Sequence, residues 1–169
     1  MPILSLPPEV RDVFKAFYTC EFTTVNSQGQ PLTWPTEPYY NEPEGQIIVT
    51  SSISFPVKTY NARRYPRVSL LYSDPTGSKI DDAPAVLVQG DVTAVEELVE
   101  DPPWSYEMFK ESIERQPNMR KFVANPLAQK LFMFEYQRIG IFVRPRRILV
   151  WAHRDFNLAP TEVEVGYVE

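Results

Sequence analysis

Apolar residues recur along this chain in two rhythms, and the switches between them mark out its elements. Over residues 8 to 18, PEVRDVFKAFY, Val10, Val13, Phe14 and Phe17 fall at helical spacing behind a proline suited to a first turn, which predicts a short amphipathic helix. The rhythm then shortens. Phe22-Thr23-Thr24-Val25 is aromatic and β-branched, Asn26-Ser27-Gln28-Gly29 has turn chemistry, and Pro31-Leu32-Thr33-Trp34-Pro35-Thr36 resumes an extended run, so a hairpin is expected. After Tyr39-Tyr40 the cluster Asn41-Glu42-Pro43-Glu44-Gly45 predicts a second turn. Gln46-Ile47-Ile48-Val49-Thr50-Ser51 follows as an apolar run suited to a central strand.

Residues 57 to 64, VKTYNARR, have helix-compatible composition, and Pro66 limits them to one or two turns because the residue before a proline is pushed out of the α region. Two further strands are expected over 67–72 and 85–95, joined by a loop over 74–84, the second strand bending at Gly90. Residues 103 to 136 change character. Trp104, Phe109, Ile113, Met119, Phe122, Val123, Leu127, Leu131 and Phe132 are spaced for helices broken near Pro117 and Pro126, which predicts a helical insertion. The chain returns to strand over 139–143, resumes after Pro145 over 148–151, and ends in a polar tail. This order predicts a single domain over 1–169, mainly β with peripheral helices, folded as an antiparallel barrel.

Composition narrows what such a barrel would do. The chain has 169 residues, which suffices for a buried core without disulfides or metal. A net charge of −5 argues against nucleic acid as the main partner, because phosphate neutralisation needs a basic surface. Cys20 is the only cysteine, which excludes an internal disulfide and any multi-cysteine metal site. The first residues, MPILSLPPEVRDVF, lack a basic start followed by an apolar run, and the sequence holds no apolar stretch of about 18 residues. No signal peptide and no membrane span are therefore expected, and the expected home is the cytoplasm. No G-x-G-x-x-G, Walker A, G-x-S-x-G or H-E-x-x-H motif occurs.

The richest stretch for chemistry runs from Val49 to Val68. A strand ends in the hydroxyl residues Thr50, Ser51 and Ser52, and Lys58 follows at the start of a helix. Hydroxyls, free N–H groups at a helix start and a cation are the groups that hold a phosphate, although capped helices after Ser/Thr-rich strand ends are common for structural reasons alone. The pattern is TTV-NxxGxP-xxxP, a strand ending IVTSS, a K-x-x-N-x-R-R-x-P-R-V-S-L segment and a strand V-x-G-D-V-x-x-V. It resembles the pyridoxamine 5′-phosphate oxidase-like FMN-binding split-barrel family over about residues 17 to 98, and more weakly through the strand that ends in Trp151.

That resemblance implies a homodimer with FMN, or alternatively the deazaflavin F420, at the interface. Val49, Thr50, Ser51, Ser52, Lys58 and Asn61 would lie about the cofactor phosphate, Trp34, Pro35 and Thr36 beside the ring, and Trp151 at the site as well. It implies a flavin-dependent oxidoreductase acting on a small molecule. The B6 oxidase itself is disfavoured, since Phe55-Pro56 stand where that enzyme carries an Arg-Lys pair. No dedicated acid or base is required, because hydride and electron transfer reside in the cofactor.

Other residues admit competing readings. Asn61, Arg63 and Arg64 also suit a solvated helix surface. His153, the only histidine, suits a surface tail, or by the resemblance a haem ligand or a contact from the partner subunit. Trp151 suits a core or interface aromatic. Arg144, Arg146, Arg147 and Arg154 form a basic cluster that either faces an anion or is simply solvated. A flavin- or haem-binding protein without turnover and an interaction module on the same fold complete the alternatives.

Overall fold

The structure is a computed structural model that describes residues 3, 6–97, 103–115, 125 and 138–167. Helix α1 spans Pro8–Ala16 and buries Val10, Val13 and Phe14 along one stripe. It stops two residues short of the expected end. Phe17 turns extended and sets its ring against Tyr72, with centroids 6.3 Å apart.

Eight strands form one antiparallel sheet: β1 (Cys20–Val25), β2 (Pro31–Thr36), β3 (Pro38–Asn41), β4 (Gln46–Ser52), β5 (Arg67–Tyr72), β6 (Ala85–Glu97), β7 (Arg138–Trp151) and β8 (Thr161–Val163). Helix α2 is Val57–Arg64 and α3 is Pro103–Arg115. The strand path is β2-β1-β5-β6-β7-β4-β3, with β8 added to β7. The strands at its two ends, β2 and β3, are separated in sequence by Glu37 alone. The sheet must therefore curl until its edges meet at that residue, yet β2 and β3 do not pair. The result is an open half-barrel, a split barrel.

Local chemistry sets the joints. In the β1–β2 hairpin, Asn26 Oδ1 accepts from the Gln28 and Gln30 amides, each at 2.9 Å, and Gly29 takes φ +79°. At Gly90 the expected bend is a register shift in the β6–β7 ladder. A side chain there would put Cβ 2.6 Å from Val143 Cγ1 and 2.7 Å from the Arg144 carbonyl oxygen, so the close approach requires glycine.

Two expectations are corrected. The segments on either side of Pro145 are one strand, because Pro145 pairs opposite Gly90 at the register shift, where a missing N–H is tolerated. The polar tail contains β8, whose Glu162 takes a two-pronged ion pair from Arg147 at 2.8 and 2.9 Å, and beyond it Tyr167 donates to the Pro145 carbonyl at 2.6 Å. Of the expected helical insertion, α3 is observed over its first part, and 116–124 and 126–136 lie outside the described residues.

The core fills the half-barrel with Phe22, Val49, Leu70, Val88, Ile141 and Ile148, and α1 plugs it through Phe14, whose ring lies 5.2 Å from those of Tyr40 and Tyr72. No helix among the described residues is long and apolar enough to cross a membrane.

Candidate functional site

Chemistry concentrates where β4 ends, β7 begins and α2 starts. The β4–β7 ladder places Thr50 opposite Gly140, Ser51 opposite Ile139 and Ser52 opposite Arg138. Ser51 is buried and its hydroxyl donates to the Phe55 carbonyl at 2.9 Å, while the Ser52 hydroxyl accepts from the Ser54 amide at 3.2 Å. Those two bonds shape the turn that leads into α2. That helix begins at Val57 behind Pro56 with no side-chain cap, so its first amides lack a side-chain acceptor. In the same turn Thr59 Oγ1 is buried with no hydrogen-bond partner among the described residues.

Lys58 sits in this first turn, half-buried. Burial holds its ammonium below the ordinary lysine value, the charge of Arg138 presses the same way, and Cys20 opposes them. Two cations thus share one partly desolvated corner. Cys20 itself is an inert core thiol, since burial pushes it far up, helped by Glu21 and opposed by Lys58.

Glu37 closes the corner from the side where the sheet edges meet. Its carboxylate accepts from Ser112 of α3 at 2.9 Å, and Thr50, Arg138, Met108 and Phe109 complete a small cleft around it. Burial raises the Glu37 pKa, and Ser112, Arg115 and Arg138 oppose that rise. Arg138, Glu37 and Ser112 were not singled out by sequence reasoning. Arg138 carried a findable signal, being the one cation at the threshold of the strand that continues as 139–143.

The remaining expected contacts are distributed differently. Val49 is wholly buried among core residues. Asn61 is buried on the inner side of α2 and donates to Thr24 Oγ1 at 3.1 Å, so it fastens the helix to β1, whereas Arg63 and Arg64 are exposed. Along β2, Trp34 is half-buried and Thr36 buried, its hydroxyl donating to the Trp34 carbonyl at 3.3 Å, while Pro35 is exposed on the opposite face. Strand alternation therefore divides the three residues between two faces.

Trp151 ends β7, at the far end of that strand from Arg138. At about 3.3 Å per residue the two lie on the order of 40 Å apart along the strand, less any bending. Trp151 and Arg138 therefore mark opposite ends of β7. The Trp151 ring packs on Phe156, with centroids 5.4 Å apart. Beside it His153 and Arg154 take left-handed backbone, φ 54° and 55°, as does Asp82 at 53°, whose carboxylate meets His153 Nδ1. The basic cluster resolves into separate pairings: Arg147 to Glu162, Arg146 to Asp91 at 3.6 Å, Arg144 over the Tyr167 ring at 3.9 Å, and Arg154 to the Ala83 carbonyl.

No protein-family model and no curated protein matches the chain. Solved structures do. A conserved hypothetical protein of Mycobacterium tuberculosis is similar at 24% identity and TM-score 0.61, over 96% of this chain and 94% of its own. A Clostridium acetobutylicum protein related to general stress protein 26, described as of the pyridoxinephosphate oxidase family, is similar at 9% identity and TM-score 0.57, over 92% of each chain. An F420 reductase is similar at 17% identity and TM-score 0.55, over 85% of this chain and 98% of its own. The haem storage protein HutZ of Vibrio cholerae has the same identity and TM-score, over 88% of this chain and 96% of its own. The chain has the split-barrel fold that these proteins share.

Proposed function

We propose that this chain is an FMN-binding flavoprotein, a flavin-dependent oxidoreductase acting on a small molecule other than the B6 oxidase substrate, and that it works as a homodimer in the cytoplasm. The observation that carries the reading is the pair Lys58 and Arg138, two like charges pressed into one half-buried corner beside the uncapped start of α2. Arg138 also faces the Glu37 carboxylate across the small cleft, and a phosphate at the start of α2 would gain charge-assisted bonds from Lys58 and Arg138 together with the helix-terminal amides. The residues present therefore fit the cofactor phosphate.

In this reading Lys58, Arg138 and the α2 amides hold the phosphate, Thr50 offers a hydroxyl beside them, and Ser51 and Ser52 hold the turn that aims the amides. The flavin ring runs beside the β2 edge of the sheet, at Trp34, Pro35 and Thr36. Trp151 belongs to the opposite half of the site and is supplied by a second copy, since it stands at the other end of β7 from Arg138. When bound, the flavin supplies hydride and electron transfer; the protein binds, orients and excludes water. F420 is the alternative cofactor, and the F420 reductase of the same fold supports keeping it.

The test is direct. Protein produced with flavin supplied and then desalted is expected to be yellow, to retain FMN by mass spectrometry and to sediment as a dimer. A colourless protein that fails to quench added FMN fluorescence removes FMN, and F420 is then tested by quenching of its own fluorescence.

One observation favours a second reading, haem binding. A metal-ligating histidine usually engages its other ring nitrogen with a carboxylate, and exposed His153 has Nδ1 against Asp82. A Soret band on haem addition that is lost in His153→Ala supports this reading; an unchanged spectrum removes it.

A further inference from the structure

We propose that a groove across β1, β5 and β6 is a second small-molecule site, separate from the Lys58 corner, for a compact polar metabolite carrying a phosphate or carboxylate. The register of three strand pairs builds it. Thr33 pairs with Thr23, Thr23 with Ser69 and Ser69 with Gln89, so one cross-strand row carries three hydroxyls and an amide. Thr23, Ser69 and Gln89 lie between residues buried on the core side, Phe22, Thr24, Leu70 and Val88, and so face outward. The Asn61–Thr24 bond puts α2 against the other face.

A polar row alone would be an ordinary wet surface. Here it lies in a groove of about 340 Å³, within the range of small-molecule pockets. Its floor is fixed by the β6 register shift at Gly90, and the Val92 amide ties β6 to the Pro66 carbonyl at 2.7 Å beside Arg67. Thr23 and Thr33 hydroxyls lie 2.8 Å apart, which orients the Thr23 oxygen.

Charge then selects the ligand. Arg67 and Arg146 both line the groove. Asp91 stands opposite Arg67 in the ladder, but its carboxylate is 3.6 Å from Arg146. Arg67 has no ion-pair partner among the described residues, so two guanidinium groups face one carboxylate and the groove keeps a net positive charge. The sequence reinforces this: from residue 45 to 73 there is no Asp or Glu, while Lys58, Arg63, Arg64 and Arg67 all fall inside that stretch of a chain whose net charge is −5. Guanidinium groups match the planar oxygen pairs of carboxylate and phosphate, and the Thr23–Ser69–Gln89 row offers donors and acceptors to a hydroxylated body.

The experiment titrates ribose 5-phosphate into the ¹⁵N-labelled full chain and follows backbone amides. Saturable shifts are expected at Ser69, Gln89 and Gly90. They should weaken by about tenfold or more in Arg67→Gln/Arg146→Gln, which removes both guanidinium groups at two exposed positions, and persist in Lys58→Ala. The proposal is overturned if these amides do not respond, if their response survives the double substitution, or if it disappears in Lys58→Ala, which would assign the ligand to the other corner. Shifts that follow protein concentration instead of ligand would also overturn it, by giving the groove to a second copy. Flavin retention is read on the same samples, so failure here is distinct from failure of the flavoprotein reading.

Discussion

Ser52 and Arg138 face each other across the β4–β7 ladder, so the last hydroxyl of one strand and the first cation of its neighbour enter the same corner. In the proposed reading this register is what brings Arg138 to the cofactor phosphate: a slip of one residue would send Arg138 to the other face. Arg138→Ala is therefore expected to raise the FMN dissociation constant about tenfold to a hundredfold, the worth of one charge-assisted hydrogen bond, with Arg138→Lys retaining part of the affinity. Fluorescence titration reads the affinity, and far-ultraviolet circular dichroism confirms that the fold is intact. Wild-type affinity in Arg138→Ala would remove this residue from the site.

Asn61 was expected at the cofactor and is found as a strut. The hydrogen bond that its side-chain amide donates to Thr24 Oγ1 is buried, so removing one partner leaves the other short of a bond in the interior. Asn61→Ala is expected to cost about 1–3 kcal/mol in urea unfolding. Pairing it with Thr24→Val should cost less than the sum of the two single changes, because the surviving orphan is removed. Additive costs would mean that the bond does not couple the two residues.

What was legible in the sequence follows from the range of the signals. Strands such as 46–52 and 67–72, and the Asn26–Gly29 turn, are written in local patterning and were read nearly to the residue. Pro145 was read as a break because proline lacks an N–H; only the position of Gly90 on another strand makes the gap harmless. The segment forming β8 has three residues and no apolar rhythm, and it exists through cross-strand partners such as Arg147. At the candidate corner, the place of Lys58 in the first turn of a helix was legible from local composition. Glu37 and Arg138 were not, because their importance comes from the closure of the sheet and from strand register. Asn61 was named on the family resemblance alone, and no local pattern announces its bond to Thr24, which depends on how α2 packs on β1.

Gly90 offers a stability test of the bulge. Adding one carbon there meets Val143 Cγ1 and the Arg144 carbonyl at 2.6 and 2.7 Å, and the second of these is backbone. Gly90→Ala is expected to destabilise the protein by about 1–3 kcal/mol through overpacking, with the loss visible as a lower urea midpoint at unchanged slope. A midpoint equal to wild type would show that β6 and β7 separate without cost at this position.

Glu37 gives the pH test. Burial raises its pKa in the folded state, so the folded protein binds its proton more readily than the unfolded chain does. The contribution of this group is therefore fully present below the ordinary glutamate value and is lost as pH rises through the raised folded value. At neutral pH the half-buried carboxylate opposes folding, relieved in part by Ser112 and by the charges of Arg115 and Arg138. Glu37→Gln keeps an oxygen for Ser112 and removes the charge. It is expected to gain stability relative to wild type as pH goes from 4 to 8, with the curves converging at the acid end. Parallel curves across that range would mean that Glu37 titrates in the folded protein as it does in the unfolded chain.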